Sequence, residues 1–118
     1  MKTANLKSQT CEPCEKGTPA LTPVQAKGLL RQLPGWMLNG SKKEISKAFK
    51  MKDFPAAVKL INTVAKIAQQ QDHHPDVHLT GYRNLEFRLF THSIGGLSKN
   101  DFILASKIER LPKSLKRR

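Results

Sequence analysis

The 118-residue chain has only 2 cysteines, 1 tryptophan and 1 tyrosine, and its 9 acidic residues face 21 lysines and arginines. Each shortage removes a class of protein. Cys11 and Cys14 form a lone CxxC, and without a second pair of thiol ligands a zinc ribbon cannot be built. The pair lies in a lead segment containing Pro, Gly and Lys, not at a helix start beside a strand, so a dithiol redox role is not indicated. Free thiols fit a reducing compartment. No apolar run approaches the roughly 18 residues that span a bilayer. The opening MKTANLKSQTCEPCEKG lacks the apolar core of a signal peptide, so a cytoplasmic location is expected. Nucleophile elbow, phosphate-cradling glycine loop and dinucleotide fingerprint are all missing.

The basic excess gives a formal net charge of +12, which favours contact with anions in general. It is spread along the chain and is thickest at Lys113, Lys116, Arg117 and Arg118. No aromatic residues interleave with that tail, so a base-stacking platform and nucleic-acid contact are not indicated. Hydrophobic residues at 38% and charged residues at 25% describe an ordinary globular chain with enough length for one core. The expected organisation is a flexible extension over 1–20, one folded domain over 21–112 and a basic tail over 113–118.

Thr22, Pro23 and Gln25 make a capping box that opens a short helix with Val24, Leu29, Leu30 and Leu33 on its apolar face. Trp36, Met37 and Leu38 read as a strand, Asn39-Gly40 as a hairpin turn, and 43–50 as the return strand. Asp53 caps the longest helix, with Pro55 in its first turn. Phe54, Val58, Ile61, Ala65 and Ala68 form its stripe, widened by Leu60, Val64 and Ile67. Pro75 ends it near His73 and His74. A strand at 77–80 bends at Gly81, and Leu85, Phe87 and Leu89 alternate along another at 85–91. Gly95-Gly96 turns the chain into a last helix, opened by Ser98 and Asp101 and buried through Phe102, Ala105, Ile108 and Leu111. The order is α-β-β-α-β-β-α, an α+β fold with helices packed on one face of a four-stranded antiparallel sheet.

All 4 histidines fall in one stretch, as His73, His74, His78 and His92. Histidine is the side chain whose ordinary pKa lies nearest neutrality, so the cluster suits general acid–base work on a small molecule. His78, within a strand, is given no role. Tyr82 taken alone is a core aromatic. Asp72 and Asp76 beside the histidines could hold a divalent ion, but adjacent His73 and His74 point in different directions, so no metal is expected.

The triplet His73, His74, Pro75, followed by Tyr82, then Thr91-His92, then Asp101, resembles the signature of the pterin-4a-carbinolamine dehydratases. The run Gly95-Gly96-Leu97-Ser98, then Asn100-Asp101-Phe102 and Ala105, Lys107 and Ile108, is similar too, as is the helix opened by Asp53-Phe54. The resemblance covers about residues 20–111. It implies loss of water from 4a-hydroxytetrahydropterin to give the quinonoid dihydropterin, without metal or organic cofactor. It also implies His73 and His92 as the acid–base pair, with His74 assisting. Pro75, Thr91, Ser93 and Asp101 would bind or orient the pterin, with Gln69 and Tyr82 in support. Gln69 stands where the family commonly has Glu, Lys or His. The resemblance further implies a homodimer or homotetramer and an aromatic amino acid hydroxylase as pathway partner. The alternative it leaves open is a non-catalytic accessory protein, such as a transcriptional coactivator or assembly factor, on the same scaffold.

Overall fold

The structure is a computed structural model that describes residues 6, 9–12, 18–41 and 43–117. Cys14, the second half of the CxxC, lies outside the described residues, as does Arg118 of the basic tail. The observed order is α1 (Pro23–Leu30), β1 (Met37–Leu38), β2 (Ile45–Lys50), α2 (Phe54–Gln71), β3 (Asp76–Thr80), β4 (Asn84–Leu89), a 3-10 turn at His92–Ile94, and α3 (Lys99–Arg110). The four strands form one antiparallel sheet in the order β1-β2-β4-β3. The fold is the α+β arrangement expected from the pattern.

β4 is the spine of the sheet. Its alternate residues Leu85, Phe87 and Leu89 are fully buried, and Ile45 and Phe49 of β2 join them on the same face. Lys47 shares that face by alternation and is accommodated by an ion pair. Its Nζ lies 2.5 Å from Glu109 Oε1, which also accepts from Trp36 Nε1 at 2.8 Å. Trp36 is buried.

α1 carries the anticipated capping box, in which Gln25 N donates to Thr22 Oγ1 and Thr22 N to Gln25 Oε1. Its inward face runs through Ala26, Leu29, Leu30 and Leu33, at helical spacing. Val24 is therefore turned out and 81% exposed, contrary to expectation, because two residues along a helix is roughly half a turn from Ala26. The hairpin also differs. A two-residue Asn39-Gly40 turn would pair Leu38 with Ser41, but Leu38 pairs with Ile45 across a longer loop. That loop is closed by Asn39 N to Glu44 O at 2.9 Å and Asn39 Nδ2 to Glu44 Oε1 at 2.9 Å. This register keeps Ile45 on the core face.

α2 starts at the Asp53 cap, whose carboxylate accepts from Ala56 N at 2.9 Å. It buries Ala57, Leu60, Val64 and Ala68. The stripe expected through Phe54 and Ala65 is displaced by part of a turn, leaving Phe54 51% exposed. α3 is the most enclosed helix, with every residue from Asn100 to Ser106 buried.

Beyond α3 the chain returns along the end of β2. Lys52 N donates to Ser114 O at 2.8 Å, Lys116 N donates to Lys50 O at 2.9 Å, and Met51 bridges Leu115. These bonds occupy the edge that the two-residue β1 leaves open. At the other terminus, Leu6 is buried in the core and Cys11 packs beside it. No helix among the described residues is long and apolar enough to cross a membrane.

Candidate active site

Three chain segments converge at the open end of the β3–β4 hairpin. The first is the end of α2. Asp72 adopts a left-handed conformation, φ 51° and ψ 41°, and His73 N reaches back to Ala68 O at 3.1 Å. This cap reverses the chain and fixes His73 at the helix end before Pro75 leads into β3. The second segment follows β4, where Thr91 bridges Gly96 and the 3-10 turn closes on Gly95 at φ 65°, a conformation glycine adopts without strain. The third is the first turn of α3.

Asp101 ties the three together. Its side chain is fully buried, and both oxygens are satisfied. Oδ1 lies 2.6 Å from His73 Nε2. Oδ2 accepts from Ser98 N at 2.9 Å and from Thr91 Oγ1 at 2.9 Å. Thr91 spends its only hydroxyl proton on that bond, so the 2.7 Å contact with Ser98 Oγ is donated by Ser98. As a carboxylate, Asp101 can only accept, which makes His73 Nε2–H the donor of the 2.6 Å contact. The other ring nitrogen, Nδ1, is then the one that carries a lone pair in the neutral ring.

His73 lines a cleft of about 410 Å³ with Thr91, Ser93, Asn100, Gln71 and Asp72. Gln70 and, from the lead segment, Cys11 and Glu12 complete its wall. Asn100 holds that wall by pairing with the Glu12 backbone, accepting from Glu12 N at 2.9 Å and donating to Glu12 O at 2.5 Å. Gln71 Oε1 accepts from Cys11 N at 2.7 Å. Asn100, Gln71, Cys11 and Glu12 carried no site signal in the sequence. Their role depends on amide side chains meeting backbone across a long stretch of chain, a pairing that leaves no periodic mark.

The structure thus brings together His73, Thr91, Ser93 and Asp101. His74 is exposed, its Nε2 3.2 Å from Gln69 Oε1, so the departure at Gln69 faces His74 rather than His73. His92 is exposed in the 3-10 turn, its ring 4.0 Å from that of Phe90. Pro75 begins the approach to β3. Tyr82 is not in the core. It is 57% exposed at the turn of the β3–β4 hairpin, the end opposite the histidines, because positive φ at Gly81 and Tyr82 makes the reversal there. His78 is exposed on β3, opposite Glu86. The backbone of Thr91 is also already used. Its N–H donates to Gly96 O, and its carbonyl accepts from Ile94 and Gly96. The His92 carbonyl in turn accepts from Gly95 N at 3.2 Å. Among the described residues no group of three His, Cys, Asp or Glu is placed to hold a metal ion.

Fold and site together define an α+β protein whose buried carboxylate orients a cleft histidine, with further histidines around the same strand ends. The family model for pterin 4 alpha carbinolamine dehydratase matches residues 19–111, and the chain belongs to this family. A Halorhodospira halophila protein carrying the same family name is 41% identical over 107 residues, covering 91% of this chain and 97% of its own. The Arabidopsis thaliana protein named pterin-4-alpha-carbinolamine dehydratase 2, mitochondrial, is 39% identical over 111 residues. That alignment covers 92% of this chain and 59% of the plant protein. A crystal structure described as transcriptional coactivator/pterin dehydratase from Brucella melitensis superposes with a TM-score of 0.72 at 32% identity, over 76% of this chain and 95% of that one. The family match begins at residue 19, so the Cys11 and Glu12 wall of the cleft lies outside it.

Proposed function

We propose that this protein is a 4a-hydroxytetrahydropterin dehydratase working by histidine acid–base catalysis. The observation that carries the reading is the 2.6 Å contact between His73 Nε2 and the buried Asp101 carboxylate in a chain of this family. In the reaction the C4a–O bond breaks, a double bond forms between C4a and the adjoining ring nitrogen, and that nitrogen loses its proton. The hydroxyl leaves as water once it is protonated.

The carboxylate fixes the tautomer and orientation of His73, so His73 Nδ1 is the base that takes the ring-nitrogen proton. His92, exposed and in exchange with solvent, is the acid that protonates the departing hydroxyl, and His74 assists at the rim. Thr91, Ser93 and Pro75 shape the seat of the ring, with its edge against the backbone of His92 and Ser93. Gln69 positions His74. Tyr82 has no part in this scheme. No step requires a metal or an organic cofactor.

The test is stopped-flow absorbance of 4a-hydroxytetrahydropterin decay at one pH, with and without protein. Wild type accelerates the decay, and His73→Ala and His92→Ala each lower kcat by about 100-fold or more, the usual contribution of an acid or base, while circular dichroism is unchanged. If the double variant dehydrated the substrate as wild type does, the assignment would be wrong.

A second reading is favoured by the coactivator half of the Brucella description: the same scaffold serving as an accessory protein. β3 is an edge strand with exposed Val77, and pairing across it is the proposed route to a homodimer. A His73→Ala, His92→Ala protein that kept its partner complex would separate binding from catalysis.

A further inference from the structure

The His73 cleft does not end at Gln71. A second depression of about 350 Å³ is bounded by Ile67, Gln70, Gln71, Lys107, Arg110 and Leu111. Gln70 and Gln71 line both, so the two depressions adjoin between the end of α2 and α3, and together they are called the α2–α3 groove. Helical spacing gives its direction. Asn100 lines the first part, and Lys107, two turns on, returns to the same face of α3. At a rise of 1.5 Å per residue, Lys107 lies about 10 Å and Arg110 about 15 Å beyond Asn100 along the axis.

The groove is polarised. Glu12 and Asp72 line its His73 end, where no Lys or Arg does among the described residues, although the chain carries a net charge of +12. Lys107 and Arg110 line the far end. Lys107 forms no ion pair among the described residues. Both cations sit in the last turn of α3, where they also complement the helix dipole. That role asks only for a C-terminal position; it does not ask that they border a groove leading to His73.

A pterin matches this polarity from end to end. Its 2-amino and N3–H edge is rich in donors and suits the carboxylate end. Its C6 substituent leaves from the opposite edge of the bicycle. We propose that the α2–α3 groove seats this substituent, and that the preferred substrate is a 4a-hydroxytetrahydropterin whose C6 side chain ends in carboxylates held by Lys107 and Arg110. The side chain must cross about 10 Å to reach Lys107, so an aminobenzoyl-glutamate substituent arrives there and a three-carbon chain stops short. This inference rests on the dehydratase reading.

Two substrates test it by stopped flow at low ionic strength: one with a neutral dihydroxypropyl side chain, one with the aminobenzoyl-glutamate side chain. Wild type favours the second in kcat/KM by about tenfold, mainly through KM, the size of effect two solvent-exposed ion pairs supply. The preference shrinks as salt is raised. K107A/R110A abolishes it while leaving turnover of the neutral substrate unchanged. Equal kcat/KM for both substrates in wild type, or a preference that survives K107A/R110A, overturns the inference. If wild type accelerates neither decay, the dehydratase reading has failed instead. The groove is then decided by fluorescence titration with the oxidised forms of both pterins: the conjugated one binds tighter to wild type, and equally with the other to K107A/R110A, or the inference falls.

Discussion

Replacing Asp101 by asparagine separates the two tasks of the residue at nearly constant volume. The carboxylate accepts from Ser98 N and Thr91 Oγ1 on one oxygen and faces His73 Nε2 on the other. An amide has one acceptor and one donor end. Two donors lie on the Ser98 and Thr91 side, so the amide oxygen turns there and the NH2 points at His73. His73 must then offer a lone pair at Nε2, which moves its proton to Nδ1. Nδ1, the base of the proposed mechanism, becomes a donor and can no longer take a proton.

The expected loss in kcat is 10²- to 10⁴-fold, the span covered by a missing general base. The stability cost is smaller. Two hydrogen bonds pass from a charged to a neutral acceptor, worth about 1 kcal/mol each, partly offset by no longer burying a charge. About 1–2 kcal/mol leaves a protein of ordinary stability folded. Asp101→Ala, by contrast, leaves Ser98 N–H buried without an acceptor and should cost about 3 kcal/mol. Stopped flow gives kcat, urea denaturation gives the stability, and ¹⁵N shifts of His73 report which ring nitrogen is protonated. A D101N protein that kept kcat within about threefold of wild type, or kept its proton on Nε2, would refute the tautomer argument.

Gly81→Ala should cost about 1–2 kcal/mol, since its φ of +52° is unfavourable for an L side chain and a Cβ would come 2.9 Å from Asn84 Nδ2. Because the hairpin turn is remote from His73, kcat should stay at the wild-type value; a loss of turnover in folded G81A would mean that turn reaches the site. Lys113 is held below the ordinary lysine pKa, first by burial and then by Lys47, with Glu109 opposing. The unfolded chain therefore binds the extra proton between the folded value and the ordinary one of 10.5, so this group adds stability as pH rises through that interval. The stability difference between wild type and Lys113→Gln, followed by urea denaturation across that interval, should move in favour of wild type. A difference that is flat with pH would show the side chain to be fully solvated.

Much of the fold could be read in the sequence because several local signals agreed. The caps at Thr22 and Asp53, Pro75 after α2, and the alternation of Leu85, Phe87 and Leu89 each sit at an element boundary or face. What could not be read was phase and register. α2 is apolar through Phe54, Val58 and Ile61 as well as through Ala57, Leu60 and Val64, so its pattern offers two adjacent faces, and only packing on the sheet selects the second. The same holds for Asn39-Gly40, a strong turn signal that yields to the register Ile45 requires. Phe90 and Thr91 have strand-forming side chains, which hid the end of β4 at Leu89 and the 3-10 turn beyond it.

The site divides along the same line. Asp101 was legible as a helix-opening acid, and only the resemblance gave it a second task. The structure shows why one residue can do both. Here the capping acid is buried beside the Ser98 N–H, and that setting also makes a fixed acceptor for an imidazole. In the proposed mechanism this matters for the division of labour. A base must be held in one tautomer, and His73 is anchored to α3, whose residues from Asn100 to Ser106 are all buried. An acid must regain its proton from water after each turnover, and His92 sits exposed on a three-residue turn. The rigid member of the pair is thus placed where orientation decides the rate, and the solvated member where proton supply does.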